Sequence, residues 1–250
     1  NSSMVIIDKV AWQIDGGIPE DLVISHFNTV FTWLDDHKML SAEGKEELED
    51  GIDDCASLNK EMITMEGLAF LEACYDEYLR VITKDKYGID FNGEELEKIY
   101  RKYREFENFM AWTKQEFGYV IPQEYLSFLE KGEFDSTVRK YYVIDEENAL
   151  EISEWFTPDK IPAIYKNCCE EKMIEKYHLP ILDSCGCTVV LNCDSGADTY
   201  GQICLRTPTG YYDEDLQENV YDEMEFVAEK FTDIISNLKD AEQLEEMGIF

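Results

Sequence analysis

Hydrophobic side chains in about the first hundred residues recur every three or four positions, which is the spacing of an amphipathic helix. Residues 21–34 show this pattern most clearly, and their apolar stripe includes one histidine, His26, which we expect in the core. Ser41 and Thr64 precede two further segments with the same spacing, and a hydroxyl at that position can accept from the free N–H groups of a helix start. A charged helix is predicted from about residue 94 to residue 117.

The pattern changes after this charged segment. Ile121 and Pro122 predict the start of a short helix, because the fixed φ of proline suits the first helical turn. Gly132 predicts the end of that helix, and a short apolar run at residues 141–144 predicts a strand. A helix followed by a strand indicates a region of mixed secondary structure.

A β-hairpin is predicted from two β-rich segments, residues 188–193 and 200–207, which flank a mostly polar loop at residues 194–199. The apolar positions of residues 220–238 then return to helical spacing. They predict a long final helix that packs on the sheet through its apolar face.

These elements predict two domains. Residues 1–104 are expected to form an all-helical domain, with a formal net charge of −12. Residues 105–250 are expected to form an α+β domain, with a mostly antiparallel sheet flanked by helices and a net charge of −21.

The composition restricts the kind of partner. Twenty-two Lys and Arg stand against 55 Asp and Glu, a net charge of −33, while 44% hydrophobic residues are enough for a packed core. Binding to nucleic acid or to an anionic membrane surface needs clustered basic side chains. We therefore expect neither kind of partner. A macromolecular partner of this chain is expected to be basic.

The chain contains no apolar run of about 18 residues, so no transmembrane helix is predicted. We interpret Asn1, Ser2 and Ser3 as a remnant of cloning ahead of a native Met4. Because no secretion signal follows, the eight cysteines are expected as reduced thiols in the cytoplasm.

The residues that could carry chemistry are few. Cys185 and Cys187 have a C-x-C spacing, and His178 is the only nearby imidazole. Structural thiols are the simpler interpretation, and a thiol- or metal-dependent hydrolase that uses these three residues is the alternative. His37 lies in an acidic segment and is expected to be solvated. We therefore predict a protein that is not an enzyme and that needs no cofactor or metal.

One acidic segment combines aromatic and charged side chains just before the predicted final helix. Tyrosine supplies contact area and carboxylates can pair with Lys or Arg of a partner. The other interpretation is a solvated approach to the helix with the tyrosines packed inward. The predicted partner-binding residues, together with two acids of the hairpin loop, are Asp194, Asp198, Tyr211, Tyr212, Asp213, Glu214, Asp215 and Glu218.

Residues from about 118 to 238 resemble a domain of the SUKH superfamily. The resemblance rests on a Pro-containing helix, two strands and a final apolar segment in the family's order and spacing. The matching pieces are residues 118–129 (GYVIPQEYLSFL), 189–193 (VVLNC), 201–205 (GQICL) and 226–238 (FVAEKFTDIISNL). Residues 155–183 contain no clear landmark of the family.

The N-terminal part is similar to a helical domain of unknown function from bacterial proteins. The similar residues are 10–22 (VAWQIDGGIPEDL), His26 and 31–34 (FTWL). Gln13 stands where that domain usually has a histidine, so no role of the histidine carries over.

The SUKH resemblance implies an immunity protein that binds and neutralises a bacterial polymorphic toxin, often a nuclease, without catalysis. The expected mechanism is occlusion of the toxin's basic active site by an acidic surface. A regulatory scaffold with several weak partners is the alternative, since SUKH-like domains also occur in eukaryotic signalling proteins.

Overall fold

The structure is a computed structural model, and it describes residues 5–84, 90, 92–134 and 140–249. The predicted start of the native chain at Met4 lies outside these ranges. The chain divides into two compact units, residues 1–104 and 105–250. Each unit is a mixture of helices and strands, and each is described by itself.

The first unit contains two strands besides its helices. In chain order its elements are β1 (Ile6–Lys9), α1 (Val10–Asp15), α2 (Glu20–Asp36), α3 (Ala42–Asp50), β2 (Ser57–Asn59), α4 (Met65–Lys84) and the first part of α5 (Glu94–Trp112). Strands β1 and β2 pair antiparallel, with Lys9 opposite Ser57. The prediction of an all-helical N-terminal domain is therefore wrong. Strands this short show too little of the alternating pattern to be recognised in the sequence. The two strands also lie far apart along the chain, so no hairpin pattern marks their pairing.

The predicted helix starts at Ser41 and Thr64 are confirmed. The Ser41 hydroxyl accepts from the Gly44 N–H at 3.2 Å, and the Thr64 hydroxyl accepts from the Gly67 N–H at 3.2 Å. Both contacts satisfy a backbone donor that the helix itself leaves free. Helix α3 ends at Asp50, before Gly51, whose φ of 94° takes the chain out of the helix.

A buried polar chain links three elements of the first unit. Tyr75 of α4 donates from its hydroxyl to the Asp8 carboxylate of β1 at 2.6 Å, and the same hydroxyl lies 2.9 Å from Nε2 of His26 on α2. Because the tyrosine proton goes to Asp8, Nε2 of His26 is the donor in the second contact. Burial lowers the pKa of His26 to about 4 and raises the pKa of Asp8. The core position predicted for His26 is confirmed.

The second unit is built on an antiparallel sheet of five strands in the order β11-β8-β7-β6-β5. The elements after α5 are a π-helical turn (Thr113–Phe117), α6 (Gln123–Lys131), β3 (Tyr141–Val143), β4 (Ala149–Glu151), β5 (Glu154–Trp155), α7 (Ile161–Glu170), β6 (His178–Ser184), β7 (Cys187–Asn192), β8 (Ile203–Arg206), β9 (Gly210–Asp213), β10 (Glu218–Tyr221), β11 (Glu225–Ala228), α8 (Phe231–Ile235) and α9 (Ala241–Glu246). The short helix after Pro122, the strand at residue 141 and the β7–β8 hairpin are confirmed.

The core of this unit packs α6 and α8 against the sheet. Tyr125 and Phe231 are in edge-to-face contact, with their ring centroids 5.0 Å apart, and Phe128 lies 4.8 Å from Trp155. These rings join the buried aliphatic residues of β6, β7 and β8 in one cluster. Burial of this apolar area is the main favourable term for the unit.

The prediction of one long final helix is wrong. Residues 220–228 instead contribute to β10 and β11, and helix is confined to α8 and α9 after them. Strand β11 pairs with β8, with Phe226 opposite Cys204. The apolar residues of this stretch have helical spacing but also fit short strands. Pairing with β8 gives the backbone N–H and C=O groups of β11 hydrogen-bond partners within the sheet.

Candidate interaction surface

The predicted acidic and aromatic segment forms a β-hairpin. Strands β9 and β10 pair in register, with Tyr211 opposite Val220, Tyr212 opposite Asn219 and Asp213 opposite Glu218. Residues 214–217 make the turn. The two strands form a sheet of their own, separate from the five-stranded sheet. The predicted irregular connection to a helix is therefore a regular hairpin.

The two tyrosines lie on opposite faces of this hairpin, because successive side chains of a strand point to opposite sides. Tyr211 is 63% exposed and Tyr212 is 58% exposed, and Leu216 in the turn is 61% exposed. Tyrosines packed inward would be buried, so this alternative interpretation does not fit the structure. Both faces of the hairpin present apolar area to solvent.

The carboxylates of the hairpin have two different roles. One oxygen of Asp213 accepts from the backbone N–H groups of Asp215 and Leu216, at 2.9 and 3.1 Å, which fixes the turn. Glu218 forms an ion pair with Lys172. Glu214 and Asp215 are exposed at the tip of the turn.

Arg206, at the end of β8, holds the base of the hairpin. Its Nε donates to the Met173 carbonyl at 2.6 Å, and another guanidinium N–H donates to the carbonyl of Asp222, just after β10. The guanidinium also lies 5.6 Å from the centre of the Tyr221 ring. Sequence analysis missed Arg206, because a single basic residue at a strand end has no pattern that signals such a role.

The structure does not bring Asp194 and Asp198 together with the hairpin. Their loop joins β7 to the start of β8, whereas β9 follows the end of β8. The four residues of β8 alone separate the two places by about 13 Å. Asp194 accepts from the Gly196 N–H at 3.0 Å and so shapes its own loop, while Asp198 is exposed. The predicted partner-binding residues thus form two patches.

The residues of the alternative hydrolase do not form a site. Cys185 and Gly186 are the two-residue turn between β6 and β7, and His178 lies at the other end of β6. Six residues of strand separate His178 from Ser184, a distance of about 20 Å. A cysteine nucleophile needs its base within hydrogen-bond reach.

The state of the thiols is also unsuited to nucleophilic attack. The hydrogen bond from the Cys185 thiol to the Glu151 carboxylate, 3.1 Å long, raises the pKa of Cys185, and desolvation raises the pKa of Cys187. Desolvation, with a contribution from Arg206, lowers the pKa of His178 to about 4. Both cysteines line a depression of about 590 Å³. The raised pKa values favour the protonated thiols, which are not the nucleophilic form.

Possible metal ligands gather at one place in the described ranges. The side chains of Asp53, Asp54 and Cys55 have ligand atoms within 4.8 Å of one another, and all three are exposed on the first unit. Exposed acids in such proximity are common in a chain with 55 Asp and Glu. This cluster includes none of the residues singled out from the sequence.

Comparison of the chain with protein-family models, curated proteins and solved structures gives no match. Among the helices in the described ranges, none combines the length and the apolar character needed to span a bilayer.

Proposed function

We propose that this protein is a non-catalytic immunity protein that neutralises a basic protein toxin, of nuclease type, by covering its active site. The observation that carries the proposal is the β9–β10 hairpin, which presents an exposed tyrosine on each face and exposed carboxylates at its tip in a chain of net charge −33. A cationic substrate cleft is complementary to that combination of rings and charges.

The rings and the charges contribute differently to binding. Tyrosine is among the residues that most often dominate interface energies, so each ring is expected to supply about 1–2 kcal/mol on burial in the partner. The carboxylates mainly steer the encounter, and such steering raises association rates by roughly 10- to 1000-fold at low salt. Hydrogen bonds of Arg206 hold the base of the hairpin, and such contacts reduce the entropic cost of ordering it on association.

The experiment compares two charge-reversed proteins. Glu214→Lys/Asp215→Lys reverses the exposed acids of the hairpin tip and leaves Asp213 to fix the turn. Glu46→Lys/Glu49→Lys is the matched control, with the same change of net charge on exposed residues of α3. Each protein is immobilised and used to capture basic proteins from lysate of the source cells at low salt. A captured protein is then expressed with each variant to test rescue from toxicity.

We expect the wild type and the α3 variant to retain the same basic protein and to rescue growth. The hairpin variant should lose both properties. If both charge-reversed proteins capture and rescue equally well, the hairpin is not the binding surface. If no captured protein is toxic, the immunity function itself is wrong.

A further inference from the structure

A groove of about 600 Å³ lies on the second unit between the π-helical turn and α7. This volume is within the range of ligand-binding clefts. The side chains that matter for its chemistry are two rings, Trp112 and Tyr165, two acids, Glu116 and Glu170, and two bases, Lys166 and Lys176. No sequence pattern signals this groove, and α7 lies in the stretch without a SUKH landmark.

Trp112 and Tyr165, which line the groove, belong to a connected set of aromatic rings. Trp112 and Tyr165 meet edge to face with their centroids 5.4 Å apart, and Phe117 stacks on Trp112 at 5.5 Å. Tyr165 is held in place because its hydroxyl donates to the Lys176 carbonyl at 2.7 Å. Phe117 also contacts Tyr119, whose ring is exposed at the surface. These contacts keep the rings rigid, so a ligand that stacks on them orders few side chains.

The π-helical turn places a carboxylate beside the indole. Trp112 Nε1 donates to the Glu116 carboxylate at 3.1 Å, and Glu116 is exposed. The turn ends at Gly118, whose φ is 74°. π-Helical turns are rare and occur frequently at functional sites. This turn is an observation independent of the groove volume, and it points to the same place.

We propose that this groove binds an arginine side chain of a basic polypeptide. A guanidinium is planar, stacks on aromatic rings and pairs with a carboxylate in the same plane, and the groove offers rings and carboxylates side by side. The unit's net charge of −21 attracts cationic chains in general. Lys166 and Lys176 offset Glu116 and Glu170 at the rim, so stacking on Trp112 and Tyr165, rather than local charge, selects arginine over lysine.

This inference does not depend on the hairpin. The groove is formed by the π-helical turn and α7, whereas the proposed toxin-binding surface is formed by β9 and β10. The groove proposal and the hairpin proposal can therefore be refuted independently. A basic polypeptide that engages the hairpin could use the groove as a second contact, and a different basic chain could use it alone.

The test uses two synthetic peptides of equal charge, one alternating glycine with arginine and the other alternating glycine with lysine. The full chain is labelled with 5-fluorotryptophan and titrated by fluorine NMR, which reports each tryptophan separately. We expect the arginine peptide to shift the Trp112 resonance and to bind more tightly than the lysine peptide, by at most about two- to fivefold, because that is the whole worth of an exposed cation–π contact. Trp12, an exposed tryptophan of the first unit, is the internal control.

Two substitutions sharpen this test. Glu116→Gln should weaken binding of the arginine peptide about two- to threefold, as loss of one exposed charge contact implies. Glu130→Gln, an exposed glutamate on α6 outside the groove, should have no effect. Trp112→Leu should abolish the preference for arginine, and its fold is checked by the resonances of the other three tryptophans. Equal affinity for the two peptides, or binding that leaves the Trp112 resonance unmoved, would overturn the proposal.

Discussion

Two buried tyrosines, one in each unit, have different surroundings. Tyr75 in the first unit is 4% exposed, and its hydroxyl joins Asp8 to His26. Tyr125 in the second unit is fully buried, and its hydroxyl has no hydrogen-bond partner among the described residues. Around Tyr75, polar contacts join β1, α2 and α4. Around Tyr125, the contacts are with packed apolar rings.

This difference follows from what each tyrosine contacts. Asp8 is a carboxylate that would be costly to bury alone, so the hydroxyl that reaches it fixes the register of β1 against α4. The ring of Tyr125 lies among Phe128, Phe231 and the aliphatic side chains of the sheet, where its hydroxyl adds volume but no polar contact. Replacing each of these tyrosines by phenylalanine should therefore change the free energy of unfolding in opposite directions.

The largest expected effect is on pH dependence, through His26 in the first unit and His178 in the second. Both have a pKa lowered to about 4 in the folded protein, from 6.5. Between these values the unfolded chain binds the proton and the folded chain does not, so the free energy of unfolding falls as the pH falls from about 6.5 to 4. Each histidine should contribute a loss of up to about 3 kcal/mol.

Urea denaturation of the wild type at pH 7, 5.5 and 4.5 measures this loss. The controls are the His26→Gln and His178→Gln variants. The contribution of each histidine is the difference between the wild type and that variant in the pH dependence of the free energy of unfolding. This comparison is needed because lower pH also relieves repulsion within a chain of charge −33. Burial raises the pKa of Asp8, so that carboxyl has the opposite sign and offsets part of the His26 term near its folded pKa. A variant with the same pH slope as the wild type would show that its histidine does not titrate in this way.

The next effect concerns Tyr75. Tyr75→Phe removes the hydroxyl that donates to Asp8 and contacts His26, and it should lower the free energy of unfolding by about 2–3 kcal/mol, the cost of losing a buried hydrogen bond to a charged group. The measurement is urea denaturation at pH 7 of protein labelled with 5-fluorotryptophan, followed by the fluorine NMR resonance of Trp33, which lies in the first unit's core. A loss below about 0.5 kcal/mol would mean that the polar chain does not stabilise the unit.

The local signals of the sequence predicted much of this fold. Ser41 and Thr64 begin helices, Pro122 precedes one and the loop at residues 194–199 joins two paired strands, because each of these signals acts over a few residues. The contacts of Asp8 with Tyr75, and of β1 with β2, join residues far apart in the chain. No short-range pattern in the sequence marks these contacts.

The candidate surface was predicted in its residues but not in its shape. The rings and acids of residues 211–218 are visible in the sequence, yet their placement on two faces depends on the pairing of β9 with β10. The apolar spacing of residues 220–238 fits a helix equally well. Residues 225–228 form strand β11 instead because they pair with the edge of β8. The Trp112 groove combines residues of α5, the π-helical turn and α7, and has no single motif.

A smaller effect, of opposite sign, is expected for Tyr125. Tyr125→Phe removes a buried hydroxyl that lacks a partner and leaves the ring contacts with Phe231 in place. The free energy of unfolding should stay the same or rise by about 1 kcal/mol, because a buried unsatisfied donor is unfavourable in the folded state. Urea denaturation alongside Tyr75→Phe makes the comparison direct. Destabilisation by more than about 1 kcal/mol would show that the hydroxyl is satisfied, by an ordered water for example.

The smallest effect compares a helix cap in each unit. Ser41→Ala removes the acceptor of the Gly44 N–H at the start of α3 and should cost about 1 kcal/mol, since α3 packs within its unit. Asp240→Ala removes the capping box of α9, in which Asp240 and Gln243 satisfy each other's backbone N–H groups. Because α9 has only six residues, its loss should appear as local fraying, with a change in global stability below about 0.5 kcal/mol. Amide hydrogen exchange separates the two outcomes: faster exchange confined to residues 241–247 for Asp240→Ala, against faster exchange throughout the first unit for Ser41→Ala. Equal global destabilisation by both variants would mean that α9, like α3, is an integral part of its unit's core.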